Sequence, residues 1–470
     1  MLYHSFFSCY HEDNIKNREQ EMSLESITIS QLFGNLDHHI ELKDGGITII
    51  HGPNGCGKTT ILKLLTSLKK FNSREISSYN FRSILLKKTD GSKLLIEKPP
   101  FGTDPKNKKN ILKYSMPSTK KNIPTKYISG EERWSSNELN MYYYALTSNG
   151  KYDDLTREEF DYLVYSGQIT LPKFGKQRDS KYAIDNSKCP TWYKSFFQDI
   201  NFEFIETHRL IRAAKSNPIK KGKSHINEFE NVIEIYSEEL KETIDNITNK
   251  SAEISQQSER SFPARLLSPG EKFIESEEEV RAEYEKTQNK VKELMDIGII
   301  DSEDTVQLPD KELDNTETKV ISLNLSDMNK KLAVYEHIYE QCNTFLKIVN
   351  SKLRNKSLFI SKDFGFVIKS LASQDDNENN NIDPKQLSSG EQHHIVLFYQ
   401  LIFKNTENTI FLVDEPEISL HVDWQRKFLS DIESITNVKE TSFIIATHSP
   451  QIIGSRRNLA ISLDGGILND

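Results

Sequence analysis

The chain of 470 residues is poor in cysteine and has no long apolar run. Its four cysteines, Cys9, Cys56, Cys189 and Cys342, form no C-x-x-C pair. This pattern argues against a disulfide framework or a zinc site and is typical of a reducing cytosol, so we expect a cytoplasmic protein. The absence of about 18 consecutive apolar residues predicts no membrane span. The aromatic start, residues 1–14, lacks the basic segment and apolar core of a signal peptide.

The chain also has fewer positively than negatively charged residues. The chain has 61 Lys and Arg residues against 69 Asp and Glu residues, a net charge of −8. Such a chain is not expected to coat nucleic acid, so any DNA contact has to be local. Lysine-rich segments at 106–109, 120–121 and 215–223 are either such phosphate contacts or solvated loops.

A phosphate-binding loop is the first motif that carries chemistry. The stretch HGPNGCGKTT, residues 51–60, fits G-x-x-x-x-G-K-[ST], between an apolar strand at 47–50 and a helical pattern. The N–H groups of such a loop converge on a phosphate at the positive end of a helix. Lys58 is expected to neutralise the β- and γ-phosphates, and Thr59 to hold Mg²⁺. The residues predicted to bind ATP here are Asn54, Gly55, Cys56, Gly57, Lys58, Thr59 and Thr60.

Two apolar runs near the end of the sequence lead into polar residues. TIFLVDEPEISLH, residues 409–421, delivers Asp414 to the expected Mg²⁺ site, with Glu415 placed to polarise water against the γ-phosphate. FIIATHSP, residues 443–450, ends in His448, which can hydrogen-bond the γ-phosphate. Taken alone, either apolar run followed by polar residues is typical of an ordinary strand end. Together with the phosphate loop they predict Glu415 and His448 as catalytic residues.

A Ser-Gly turn, QLSSGEQ at residues 386–392, precedes a helical pattern. Ser388 and Gly390 are predicted to contact the γ-phosphate of a nucleotide held by a second copy of the chain. The similar LLSPGEK at 266–272 contains Pro269, so we expect it to be a helix start that is capped by Ser268.

In this order, the motifs resemble those of the ABC-type ATPase superfamily: Walker A, signature, Walker B, D-loop (Ser419–His421) and switch histidine. The resemblance covers roughly residues 24–98 and 385–460. It implies a head in which ATP binds between two copies, with the Ser388 turn of one copy completing the site of the other. No Q-loop glutamine is identified, so the second Mg²⁺ contact stays open.

The resemblance implies an α/β fold: an ABC-ATPase head built from N- and C-terminal lobes, with a large, mostly helical insertion that includes a short antiparallel coiled-coil arm. The amphipathic segments 271–298 and 325–353 are predicted to form that arm or to pack as ordinary helices. Met22 is an alternative start. The predicted divisions are an N-terminal extension (1–22), lobe I (23–100), a mixed insertion (101–225), the helical arm (226–353) and lobe II (354–470).

The motif DEPEISLH resembles that of the OLD, Rad50 and bacterial-defence branch of the superfamily. The long separation between the Walker A and signature motifs is also unlike that of transporter subunits. The arms are too short for Rad50 or SMC proteins. Little chain follows His448, so we expect no TOPRIM nuclease site within the chain. FIETHRL (204–210) and SFPARLL (261–267) resemble stand-alone ATPases of antiphage systems, first the AriA family of PARIS and second the PtuA family of Septu.

That looser resemblance implies partners. They are further copies of the chain, in a homo-oligomer as large as a hexamer, a separately encoded nuclease of the TOPRIM or HNH type, and a phage-encoded trigger. Two alternatives stay open: a DNA-repair ATPase of the Rad50 or RecF type, and a scaffold that binds ATP but scarcely hydrolyses it.

Overall fold

A computed structural model of the chain divides into two compact units. The sheet unit is Met1–His208, Ala213–Glu228 and Asn405–Asp470, and the helical unit is Arg209–Arg212 and Phe229–Lys404. The residues that the structure describes are 23–98, 110–117, 125–130, 143–144, 189–206, 211–213, 229–268, 273–274, 276–301, 307–371, 380–404, 408–418, 420–436 and 441–463. The N-terminal extension, the three lysine-rich segments, Pro269 and Ser419 lie outside them. The five-part division of the chain stays a prediction.

The strands in the described part of the chain are β1 (Leu24–Leu32), β2 (Leu36–Glu41), β3 (Ile47–His51), β4 (Ser83–Lys88), β5 (Lys93–Glu97), β6 (Asn110–Ser115), β7 (Thr125–Gly130), β8 (Asn201–Ile205), β9 (Ile211–Ala213), β10 (Phe229–Asn231), β11 (Lys356–Ser361), β12 (Gly365–Ser370), β13 (Thr409–Asp414), β14 (Thr441–Thr447) and β15 (Ala460–Ser462). The α-helices there are α1 (Lys58–Lys69), α2 (Ser73–Ser78), α3 (Thr191–Phe196), α4 (Val232–Leu266), α5 (Glu277–Ile297), α6 (Asn315–Ala333), α7 (Glu336–Asn350), α8 (Ser389–Phe403), α9 (Val422–Thr436) and α10 (Pro450–Ile453). None of these helices is both long enough and apolar enough to cross a membrane.

A parallel sheet of order β15-β3-β14-β13-β8 forms the centre of the sheet unit. β13 and β14 are buried along their whole length, as expected for parallel strands covered on both faces. The carboxyl ends of parallel strands lie at one edge of the sheet, which is where ligands of such sheets bind. The segments that follow β3, β8, β13 and β14 therefore meet at this edge, which we call the site edge.

A second sheet of the sheet unit, of order β2-β1-β4-β5-β6-β7, is antiparallel in every pair of neighbours. β1 and β2 form a hairpin that turns at Gly34, and β4 and β5 form one that turns at Asp90-Gly91. α1 buries Ile61, Leu64 and Leu68 at helical spacing in a core shared with both sheets. Full burial of each such side chain contributes about 2 kcal/mol.

In the helical unit, α4 runs antiparallel to the α6–α7 pair. Near the end of α4, Arg265 forms an ion pair with Asp327 of α6 over 2.6 Å. Near its start, Tyr236 stacks on Tyr399 at 4.4 Å between ring centroids, and Phe345 of α7 contacts the same ring. The end of α4 therefore lies beside α6, and its start lies near α7, so α4 and the α6–α7 pair run in opposite directions.

α5 lies alongside α6 and α7 in the same direction. Asn329 donates to Glu283 over 2.9 Å and Lys290 pairs with Glu336 over 3.3 Å, both across a sequence separation of 46 residues. The chain between α5 and α6 returns to the start of α5, where the N–H of Leu313 donates to a Glu277 carboxylate oxygen.

The arm is therefore organised differently from the pairing expected for segments 271–298 and 325–353. α4 and α6 are the antiparallel pair, whereas α5 lies parallel to α6 because the connection after α5 runs back along that helix. Segment 325–353 is also divided between α6 and α7. The helix start predicted after Ser268 falls on residues 269–272, which lie outside the described part of the chain; α4 ends at Leu266, and α5 is capped by Ser276. The mixed α/β fold with a helical insertion is confirmed.

Candidate nucleotide-binding site

The phosphate loop connects β3 to α1 at the site edge. Gly52, Gly55 and Gly57 all have φ in the left-handed region, at 157°, 84° and 95°. At Gly57 a Cβ atom would lie 2.5 Å from Leu32, so a side chain would be strained both by the backbone and by this neighbour. The loop is held in the conformation that turns the strand directly into the helix start.

Lys58 is buried within this loop, with only 5% of its surface exposed. Its Nζ donates to the carbonyl oxygens of Gly52 at 3.0 Å and of Pro53 at 3.2 Å, and lies 3.8 Å from the Cys56 sulfur. These partners are uncharged, so they satisfy the hydrogen bonds of the ammonium group without neutralising it. The start of α1 adds further positive potential, and the combination favours an anion at the loop.

Thr59 and Asp414 are brought together from opposite ends of the sequence. The Thr59 hydroxyl lies 2.9 Å from both carboxylate oxygens of Asp414, which ends β13. Burial, together with the neighbouring Glu415 and Glu417 carboxylates, raises the pKa of Asp414 to about 6, against the Thr59 hydrogen bond and Lys63. The site edge therefore has an excess of negative charge around Asp414.

Glu415 and His448 follow adjacent strands and face each other. Glu415 has φ 43°, a left-handed conformation that is rare for a residue other than glycine, and its N–H donates to Ala446 of β14 at 2.9 Å. The His448 Nε2 lies 3.7 Å from a Glu415 carboxylate oxygen, and both side chains are about one third exposed. Strained backbone of this kind concentrates at functional sites.

The sequence of the chain also matches a known protein family. Residues 22–453 match the AAA ATPase domain family. The chain belongs to this family. Membership of an ATPase family implies that this ATPase uses a nucleotide.

Curated relatives match the ATPase over short segments. It is 37% identical over 60 residues, 13% of the chain, to UvrABC system protein A of Clostridium acetobutylicum, and the match covers 6% of that protein. It is 47% identical over 45 residues, 10% of the chain, to the Fe(3+) ions import ATP-binding protein FbpC of Vibrio cholerae, covering 12% of that protein. The ATPase thus spans a small part of either relative.

Two solved structures align along most of the chain at low similarity. One is the Smc head domain with an extended coiled coil bound to the C-terminal domain of ScpA derived from Pyrococcus furiosus, at 12% identity and TM-score 0.33, covering 93% of this chain and 92% of that one. The other is the SmcHead bound to the C-winged helix domain of ScpA, at 11% identity, TM-score 0.32 and 93% of both chains.

Thr59 and Asp414 are suited to Mg²⁺, the ion that ATPases commonly use with ATP. Mg²⁺ prefers hard oxygen ligands and is usually held by one or two protein groups together with substrate phosphates. The Thr59 hydroxyl and the Asp414 carboxylate are such ligands in direct contact. A divalent cation would also offset the negative charge of Asp414 and the neighbouring Glu415 and Glu417, which adds to burial in raising the pKa of Asp414. When bound, Mg²⁺ would neutralise the phosphate oxygens of ATP.

Glu206 is a residue of the site edge that the sequence motifs did not identify. It directly follows β8, which pairs in parallel with β13, so its position corresponds to that of Asp414 on the next strand. Burial raises the pKa of Glu206 to about 7, with contributions from Asp414 and Glu75 against Lys63 and Lys70. The signal was available: NFEFIE is an apolar strand that ends in a carboxylate, as TIFLVD is.

Phe33 is a second residue that the motifs did not identify. It has φ 57° and is 44% exposed, although it is a large apolar side chain. Its ring lies 3.4 Å from the position that a Cβ of Gly57 would take. An exposed ring beside the phosphate loop can stack on a nucleotide base.

Ser388 and Gly390 lie in the helical unit at the start of α8. Ser388 caps this helix: its hydroxyl accepts from the N–H of Glu391, and the Glu391 carboxylate accepts from the Ser388 N–H. Lys356 binds the same carboxylate over 2.9 Å. The Ser388 side is exposed while most of α8 behind it is buried, so the helix start faces outward with N–H groups available for an anion.

Proposed function

We propose that two copies of this ATPase close around ATP, and that the closed and open states control a separately encoded nuclease in antiphage defence. Each site combines the phosphate loop, Asp414, Glu415 and His448 of one copy with the Ser388 turn of the other. Glu415 orients the attacking water, His448 contacts the γ-phosphate, and Lys58 neutralises phosphate charge.

The observation that carries the two-copy arrangement is the exposed apolar surface beside the predicted D-loop. Ile418 and Val422, which flank Ser419–His421, are 38% and 46% exposed. Large apolar side chains that cluster at the surface mark interaction sites. The exposed start of α8 supports the same arrangement, because the positive end of a helix favours an anion.

The test of closure is the mass of the ATPase in solution with and without nucleotide. Glu415→Gln preserves the size of the side chain but removes the carboxylate, so it is expected to accumulate the ATP-bound state. With ATP and Mg²⁺ this variant should at least double in mass, and adding Ser388→Arg should abolish the increase while leaving ATP binding intact. An unchanged mass on addition of ATP would refute the proposal.

The nuclease partnership is supported by the antiphage resemblance of FIETHRL and SFPARLL, and the helical insertion is the part of the chain that we assign to partner contacts. The partner class is a TOPRIM nuclease, with an HNH nuclease as the second candidate. Co-expression with the product of the neighbouring gene, followed by isolation of a complex that persists after DNase treatment, tests this proposal. A phage trigger must bind the open and closed states unequally in order to shift them.

A DNA-repair ATPase is the second candidate. The observation that favours it is the local similarity to UvrABC system protein A. A repair role predicts DNA affinity that falls steeply with salt and is lost when Lys106, Lys108 and Lys109 are changed to Ala. DNA-independent binding of a nuclease, with negligible DNA affinity, would decide for the defence role.

A further inference from the structure

Glu417 links the segment after β13 to the switch segment after β14. One carboxylate oxygen, Oε1, accepts three hydrogen bonds: from the Thr447 hydroxyl at 2.8 Å, the His448 N–H at 2.7 Å and the Ser449 N–H at 3.1 Å. Two of these donors are backbone groups on either side of the His448 side chain. The Glu417 carboxylate therefore fixes the backbone that carries the imidazole.

Gln425 of α9 adds a second link between the same two segments. Its Nε2 donates to the carbonyl oxygen of Leu420 at 3.0 Å, and its Oε1 accepts from the Ser449 hydroxyl at 2.7 Å. Leu420 lies within the predicted D-loop. Gln425 thus connects the D-loop to the switch segment, and Glu417 connects the residues just before the D-loop to the same segment.

We propose that Glu417 is a positioning residue for His448, and that Glu417 and Gln425 together transmit the position of the D-loop to the imidazole. This inference rests on the proposed roles of Glu415 and His448 in hydrolysis. His448 lies 3.7 Å from Glu415, so a small movement of its backbone changes the distance between the two groups. A neighbouring copy that displaces the D-loop would move His448 relative to Glu415.

The other Glu417 oxygen, Oε2, allows two substitutions at this residue to be compared. It is buried and accepts no hydrogen bond from the described residues. Glu417→Gln can therefore retain Oε1 as the acceptor of all three bonds and place its amide nitrogen where no described bond is lost. Glu417→Ala removes the acceptor and leaves the two N–H groups without it.

Steady-state ATPase kinetics separate a positioning role from a binding role. We expect Glu417→Ala to lower kcat between about tenfold and about a hundredfold, the cost of misplacing a catalytic group, with the Kd for ATP changed less than about threefold. Glu417→Gln should recover most of the lost kcat, and Gln425→Ala should show a smaller loss of the same kind. Glu433→Ala is the matched control, because it removes an α9 carboxylate that pairs with Arg456, and it should retain the wild-type kcat.

Amide hydrogen exchange tests the same link without hydrolysis. The amides of His448 and Ser449 should exchange faster in Glu417→Ala than in the wild type or Glu417→Gln, while those of β13 stay protected. Unchanged exchange at 448–449, or a kcat loss that Glu417→Gln fails to recover, overturns the inference. If the wild type does not hydrolyse ATP but Glu417→Ala still speeds exchange at 448–449, the result contradicts the proposed function. The link between Glu417 and the switch segment is then still supported.

Discussion

The carboxylate of Glu206 is predicted to destabilise the unliganded ATPase at alkaline pH. Burial beside Asp414 raises the Glu206 pKa from 4.5 to about 7. A carboxyl group whose pKa is higher in the folded state stabilises the fold below the unfolded pKa, and this contribution is lost as the pH rises through about 7. The raised pKa corresponds to about 3 kcal/mol at about 1.4 kcal/mol per unit, and solvent screening of the partly exposed side chain lowers this to about 2 kcal/mol.

Glu206→Gln removes the titration while keeping the size of the side chain. Without nucleotide or Mg²⁺, the variant should match the wild type at pH 5 and exceed its free energy of unfolding by about 2 kcal/mol at pH 8.5. Thermal or denaturant unfolding across this range measures the difference. Glu203→Gln, an exposed change on the same strand, is the control and should show no such pH dependence. A stability difference for Glu206→Gln that is constant from pH 5 to 8.5 would refute the argument.

Four further outcomes follow from the site geometry. Gly57→Ala should reduce ATP affinity more than tenfold in equilibrium titrations, since its Cβ would meet Leu32 and its φ is left-handed. Asp414→Asn should weaken the Mg²⁺ dependence of ATP binding, measured by titrating Mg²⁺ at fixed ATP, because one ligand loses its charge. Glu415→Gln should lower kcat between about a hundredfold and about a thousandfold with a nearly unchanged Kd for ATP, measured by phosphate release. Lys356→Ala should speed amide exchange at the start of α8, because the Glu391 cap loses its cation.

The site edge could be predicted closely from the sequence because its strands are short, fully apolar and followed at once by their polar residues. TIFLVD and FIIAT are short apolar runs typical of strands buried on both faces, and such parallel strands deliver Asp414 and His448 to the same edge. The placement of Lys58, Thr59, Asp414, Glu415 and His448 agrees with the motifs, while their roles stay predictions.

Glu206 and the direction of α5 were not predicted, for two different physical reasons. Glu206 belongs to the site only because β8 pairs with β13, and the sequence separation between those strands hides this pairing. The direction of α5 depends on a connection that runs back along the helix, and amphipathic spacing is the same for parallel and antiparallel partners. Periodicity identifies a helical face but not the orientation of the helix that covers it.

The parallel course of α5 beside α6 and α7 constrains how the helical insertion can change in length. A simple hairpin of two helices grows by adding one turn to each. Here α5 lies beside α6 through contacts such as that between Glu283 and Asn329. To lengthen the bundle and keep such contacts, a turn would have to be added to α5, to α6–α7, to the returning connection and to the opposing α4. Relatives with insertions of other sizes should therefore differ by whole sets of matched turns, or else lose one layer of the bundle altogether.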